Sequence, residues 1–196
     1  MKIETRRLIL RPPKIGGWRD IVEGVRDINV SKMLAVVPRP YVKKDALWFI
    51  NHSKNKDKKK KKESYTFCIE LKSEKKVIGI TSIEKIDYFN RKTKTGSWIN
   101  RKYWRKGYLL EAKVFVLDFI FKKLKLKKVE TGAFVENKAS QNMSRKIGFK
   151  KEGLRKKTIL CKATGKFHDE VLFGLLKEDW NKVRPRLIKY LNKKSK

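Results

Sequence analysis

The stretch that most restricts the fold is Trp98-Ile99-Asn100-Arg101-Lys102-Tyr103-Trp104-Arg105-Lys106-Gly107-Tyr108-Leu109-Leu110-Glu111-Ala112. It starts as an apolar strand end, passes through a basic turn holding one glycine, and runs into an amphipathic helix. From Leu110 the apolar positions Val114, Leu117, Phe121 and Leu124 recur at alternating steps of four and three, which puts them on one helical face. A buried helix therefore begins at the glycine. The first N–H groups of such a helix lack intrahelical partners and the helix dipole adds partial positive charge there, so the turn is an anion site of the size of a pyrophosphate.

At 196 residues the chain suits one domain with a core of useful size, expected over residues 1–183, with 184–196 as a basic tail. The apolar run Leu8-Ile9-Leu10 is far shorter than a secretory core and no stretch is long enough to span a bilayer, so a cytoplasmic protein without membrane contact is expected. Cys68 and Cys161 have no CxxC spacing, and with only His52 and His168 available no zinc ligand set is expected. Cys68 reads as a packed apolar residue, and nothing local supports a Cys161–His168 nucleophile pair. Lys+Arg number 53 against 20 Asp+Glu, a formal charge of +33 spread over both halves. Two readings stay open: attraction to a polyanion such as RNA, or a lysine-rich surface with no partner.

Thr5 to Arg11 reads as a strand ended by Pro12 and Pro13, and helices are expected over Trp18–Asp27 and Asp45–His52. Lys54 to Glu63 is nearly all charge and reads as a loop. Tyr65–Leu71 and Val77–Ile83 form a hairpin, Thr95–Ile99 is a third strand and Val129–Val135 a fourth, giving a mixed sheet with a βαβ crossover around the long helix. Asn137 is a fitting N-cap and Gly148 a fitting stop for a helix on which Ala139, Met143 and Ile147 share a face. Thr158–Leu160 and Glu170–Leu175 are the last strands. A terminal helix from Lys177 carries Val183, Leu187 and Leu191.

Taken together, the loop around Gly107 and the later run Asn137-Lys138-Ala139-Ser140 with Arg145-Lys146-Ile147-Gly148-Phe149 resemble the two ordered motifs of GNAT N-acetyltransferases, in the branch that includes the Rim-type ribosomal-protein enzymes. The loop pattern of that family falls on Trp104, Gly107 and Leu109, where only the glycine matches strictly and Arg105 replaces a usual extra glycine. The resemblance runs from Thr5 to about Trp180. It implies a single α/β (α+β) domain, with a mixed, mostly antiparallel sheet and helices on both faces, that uses acetyl-CoA as co-substrate and no metal.

What the resemblance implies for the site can be put on numbered residues. Backbone near Ile99 pairs with the pantetheine arm, N–H groups from Arg105 to Leu109 hold the pyrophosphate, and Asn100, Arg101, Lys102, Trp104, Lys106 and Tyr108 complete the loop. Asn137 contacts the pantetheine and Ser140 sits near the sulfur, where it donates to the departing thiolate. Tyr41 and Trp48 are candidates to line the acceptor site, although packing is the more ordinary role for each, and Asp169 either binds the acceptor or caps a turn. Several relatives carry a Glu on the strand before the loop or in the last hairpin; here those regions read Lys94-Thr95-Gly96-Ser97 and Ile159-Leu160-Cys161, which leaves Glu84 as the candidate base. Three functions compete: acetylation of a protein N-terminal α-amine, acetylation of a small amine or antibiotic, and a weakly catalytic domain that binds RNA or ribosomes. A strongly basic chain disfavours a cationic small substrate unless an acidic pocket offsets its field. The sequence leaves monomer and homodimer open.

Overall fold

The computed structural model describes residues 1–57 and 62–193. Eight strands form one sheet: β1 (Ile3–Glu4), β2 (Leu8–Arg11), β3 (Tyr65–Leu71), β4 (Lys76–Asp87), β5 (Lys92–Ile99), β6 (Lys128–Phe134), β7 (Lys150–Cys161) and β8 (Lys166–Leu176), in the order β1-β2-β3-β4-β5-β6-β8-β7. Every neighbouring pair is antiparallel except β5 and β6. That parallel pair is joined by a crossover through helix α4 (Tyr108–Asp118), as parallel strands require. Its pairing covers only Lys92–Lys94 against Lys128–Glu130, and beyond it the two strands part.

Helices cover both faces. On one lie α1 (Trp18–Arg26), α2 (Ile28–Ser31) and α3 (Lys43–Asp57), where Ile21, Ala46 and Ile50 bury against Cys68, Val77 and Ile80. On the other lie α4, α5 (Lys138–Ile147) and α6 (Lys177–Lys193), around a larger core that includes Leu110, Val114, Leu117, Ile147, Phe173 and Trp180. Burial pushes the Cys68 thiol up to about 12, so it is an inert member of the first core.

Several elements depart from the sequence reading for local reasons. The long helix stops being α-helical at Asp118 and continues as a π-helical turn, Phe119–Lys123, closed by Leu124 N–H on Phe119 O at 3.0 Å. The charged run expected as a loop over Lys54–Glu63 is helical as far as Asp57; its lysines 58–61 lie outside the described residues. The buried face of α5 is Gln141, Ser144 and Ile147, whereas Ala139 is exposed. The edge strand β7 is longer than expected, and nearly all of it is exposed, including Lys150, Lys151, Arg155, Lys156 and Lys157.

The boundary expected at residue 183 falls inside α6. This helix buries Trp180, Leu187 and Leu191, and Asp118 receives Trp180 Nε1 at 3.1 Å and Arg184 Nε at 2.6 Å. Partial burial works against the Asp118 charge, but the Arg184 and Trp180 hydrogen bonds win and hold its carboxyl below the usual range. Ending the chain after Val183 removes Arg184, Leu187 and Leu191 together. At about 2 kcal/mol per buried leucine, the expected loss is at least about 4 kcal/mol, read as a lower urea midpoint.

Candidate active site

The turn before α4 is set by two left-handed residues, Arg105 at φ 61° and Gly107 at φ 80°. Glycine suits the second because a side chain in that conformation is strained. The first hydrogen bond of α4 runs from Glu111 N–H to Gly107 O at 3.0 Å. The N–H groups of Tyr108, Leu109 and Leu110 lie ahead of that ladder and point out of the helix end. Upstream, Asn100 is buried and its Oδ1 accepts Lys102 N–H at 3.0 Å, while Trp104 Nε1 donates to Ile99 O at 2.8 Å.

A buried carboxylate fixes this turn to the start of the chain. Glu111 is 3% exposed, and it accepts Thr5 Oγ1 at 2.6 Å, Arg7 N–H at 2.9 Å and Arg7 Nε at 2.6 Å. The same guanidinium donates to Lys106 O at 3.1 Å and lies 4.5 Å over the Tyr108 ring. Sequence reasoning missed this lock. Its partners are more than a hundred residues apart, and the only local sign was an acid in the first turn of a buried helix.

The basic side chains of the turn divide into two groups. Lys102 pairs with Glu23 at 2.6 Å and Arg101 with Asp27 at 3.4 Å, so both are drawn to α1. The hydrogen bond with Glu23 raises the Lys102 ammonium; that same bond lowers the Glu23 carboxyl, and the Asn29 N–H lowers that of Asp27. Arg105 and Lys106 are exposed beside the helix end, with the Lys106 ammonium 5.5 Å from the Tyr103 ring centroid. Tyr103 donates to Glu74, and burial together with that bond pushes its phenol up.

Where β5 leaves β6, backbone groups face an open wedge. Asn100 N–H donates to Ile78 O at 2.8 Å; the two-residue period of an antiparallel ladder then turns Trp98 and Gly96 toward β4, and Ser97 and Ile99 toward the wedge. The last contact across it is Thr131 Oγ1 on Thr95 O at 2.9 Å. Ser97 Oγ is buried without a hydrogen-bond partner. At the far side Asn137 caps α5 by accepting Ser140 N–H at 3.0 Å, and Gln141 Nε2 bonds Val135 O at 2.8 Å and ties α5 to the end of β6. Ser140 is half-buried on the first turn of α5.

The α1–α3 face of the wedge has its own walls. Trp98 packs against α1 at Gly24, where an added methyl would overlap the ring. The β7–β8 hairpin closes on the segment after α2 through Lys162 N–H to Ala35 O at 3.0 Å, and Cys161 is buried there with Sγ against Ser31, Lys32 and Leu34 carbonyls. His168 Nδ1 lies 3.3 Å from Glu136 and not against Cys161; its ring stacks on Phe134, and its Nε2 is buried without a partner. Asp169 Oδ1 accepts Lys157 N–H at 2.7 Å, a structural role in the bulged β7. Tyr41 packs in the α1–α3 core, while Trp48 is exposed and stacked on His52. Glu84, expected as the base, is exposed and accepts Ser82 Oγ at 2.6 Å.

The chain thus sets a parted parallel pair beside a helix N-terminus and a capped second helix. Residues 7–150 match the acetyltransferase (GNAT) domain model, and the chain belongs to that family. It is an acetyl-CoA-dependent N-acetyltransferase. It is 31% identical over 182 residues to the N-acetyltransferase YnaD of Bacillus subtilis (strain 168), covering 92% of this chain and 100% of that one. The fold is shared with Mycobacterium smegmatis RimJ in complex with CoA-disulfide (TM-score 0.81, 17% identity, 94% and 89% coverage). It is shared also with a protein from Vibrio cholerae assigned as a ribosomal-protein-serine acetyltransferase (TM-score 0.74, 23% identity, 90% and 97% coverage). Among the described residues no helix is long and apolar enough to cross a membrane, and no group of three His, Cys, Asp or Glu could hold a metal ion.

If Arg7 positions the turn through Glu111, Arg7→Met leaves a buried carboxylate short of its charged partner. With Arg7 itself partly exposed the expected stability loss is about 2 kcal/mol, and acetyl-CoA affinity falls severalfold. Urea unfolding and calorimetry with acetyl-CoA read the two effects separately.

Proposed function

We propose that this enzyme acetylates a protein N-terminal α-amine, with its acceptor presented on a ribosome or another RNA-bound assembly. The carrying observation is the wedge between β5 and β6, which opens on one side to the Gly107 turn and on the other to the face walled by Trp98, the segment after α2 and the β7–β8 hairpin. The pyrophosphate of acetyl-CoA is assigned to the N–H groups from Arg105 to Leu109, with Arg105 and Lys106 adding charge. Pantetheine is assigned to the backbone of Ser97 and Ile99 and to Asn137, with Asn100, Tyr108 and Trp104 shaping the turn. Arg101 and Lys102 support that turn through α1. The acetyl carbonyl then lies against strand N–H groups suited to a developing oxyanion.

The choice of acceptor follows from proton affinity and charge. An α-amine with pKa near 8 is partly neutral at pH 7, whereas a lysine near 10.4 costs about 3 kcal/mol more to deprotonate. An α-amine therefore asks less of whatever base the site offers than a lysine does. The +33 charge disfavours small polycations and favours an acceptor carried on RNA, whose phosphates draw the enzyme in at low salt. The Vibrio cholerae protein of the same fold is assigned to ribosomal-protein acetylation.

Two peptides, each with an internal lysine and differing only in a free or blocked N-terminus, test the acceptor. Acetylation of the free peptide alone is expected; equal rates on both identify lysine instead. Gly107→Asp, which sets a negative side chain at the helix end, is expected to weaken acetyl-CoA binding at least tenfold by calorimetry.

Ser140 is assigned as the donor to the departing thiolate. Such a donor acts mainly in the transition state, so Ser140→Ala is expected to lower kcat by about tenfold or more with little change in acetyl-CoA affinity. Unchanged turnover at saturating substrates leaves Ser140 with the helix cap alone.

A further inference from the structure

The acceptor face carries a carboxylate that the sequence reading passed over. Glu170 lies on β8 opposite Phe134 of β6, and its side chain, 17% exposed, bends back along β6 to lie over Gly132. A methyl group at Gly132 would overlap that carboxylate. Continuing the β5–β6 register by two residues sets Gly132 opposite Gly96, one step beyond the Thr131–Thr95 contact. The Glu170 carboxylate therefore stands at the apex of the wedge, on the side from which an acceptor approaches.

The other carboxylates already hold hydrogen bonds, including Glu84, which lies against Gly96 on the opposite side of the same apex. Glu111 is saturated by Thr5 and Arg7, Asp169 holds Lys157 N–H, Glu136 faces His168 and Glu84 takes the Ser82 hydroxyl. Glu170 has Arg155 Nη1 at 4.0 Å, and among the described residues no side-chain or backbone group donates a hydrogen bond to its carboxylate. A half-buried carboxylate with free lone pairs, given its place by a glycine on the next strand, is suited to accept a proton rather than to hold the sheet.

We propose that Glu170 is the base that takes the proton from the acceptor amine, an assignment that rests on the transferase reading above. The ammonium passes one N–H proton to the Glu170 carboxylate, and the freed lone pair attacks the thioester carbonyl carbon to give an oxyanion. Collapse breaks the carbon–sulfur bond, the second proton lost by the adduct nitrogen ends on the departing thiolate, and Glu170 returns its proton to solvent. The balance is amide, CoA thiol and one released proton from ammonium and acetyl-CoA.

The test compares wild type, Glu170→Gln, Gly132→Ala and Glu84→Gln on the free-N-terminus peptide between pH 6 and 9, with acetyl-CoA binding measured by calorimetry for each. Glu170→Gln is expected to keep acetyl-CoA affinity within about twofold and to lose about 100-fold in kcat near pH 7, a loss that shrinks toward pH 9 as the α-amine deprotonates without help. Gly132→Ala, with Glu170 intact but displaced, is expected to lower kcat in the same direction. A Glu170→Gln enzyme within threefold of wild type across this pH range overturns the assignment, as does a larger loss of kcat in Glu84→Gln than in Glu170→Gln. A wild type that binds acetyl-CoA but acetylates neither peptide overturns the acceptor reading itself, before any variant is compared.

Discussion

The structure depends on the early end of one parallel strand pair. Three residues of β5 pair with three of β6, and then the ladder stops while both strands run on. Unpaired backbone inside a fold is costly, because each buried N–H or carbonyl left without a partner forfeits a hydrogen bond that water would have supplied. An extended amide-bearing molecule laid into the wedge satisfies those groups as a further strand would. Once the pair has parted, everything else has a place: the crossover must return through a helix, that helix must begin near the mouth of the wedge, and its N-terminus faces the same space as the free strand edges.

The position of that helix is secured from the opposite end of the chain. Glu111 sits where the helix dipole favours an anion, and three donors from Thr5 and Arg7 neutralise and orient it. Because Arg7 also holds the Lys106 carbonyl, the segment leading into β2 is tied to the glycine turn as well as to the helix. Removing one partner of a desolvated pair costs far more than the pair contributes by forming, so the lock acts mainly to exclude other arrangements of the turn.

Features carried by short-range rules were legible in the sequence. The turn at Gly107, the Asn137 cap and the Gly148 stop were readable because caps and left-handed turns depend on residues within one helical turn. Charge misled over Lys54–Asp57, where density of charge was taken for absence of structure, and the boundary at residue 183 counted the cations after it while the expected Leu187 and Leu191 spacing ran on among them. Glu170 was invisible because it lies within a run that reads as a plain strand, and its significance comes from Gly132, a residue 38 positions earlier and on the neighbouring strand. Residues that act through the register of distant strands leave no local mark.

The lysine-studded edge at β7 bears on how this protein behaves among copies of itself. An exposed outer strand of twelve residues offers a row of free amide and carbonyl groups onto which another chain can add. Here two register shifts, at Lys151/Gly153 and at Arg155/Ile159, break the straight run, and Lys150, Lys151, Arg155, Lys156 and Lys157 crowd it with like charge. A second copy brought edge to edge would set cation against cation, so the strand that finishes the sheet also keeps the molecule from polymerising through it.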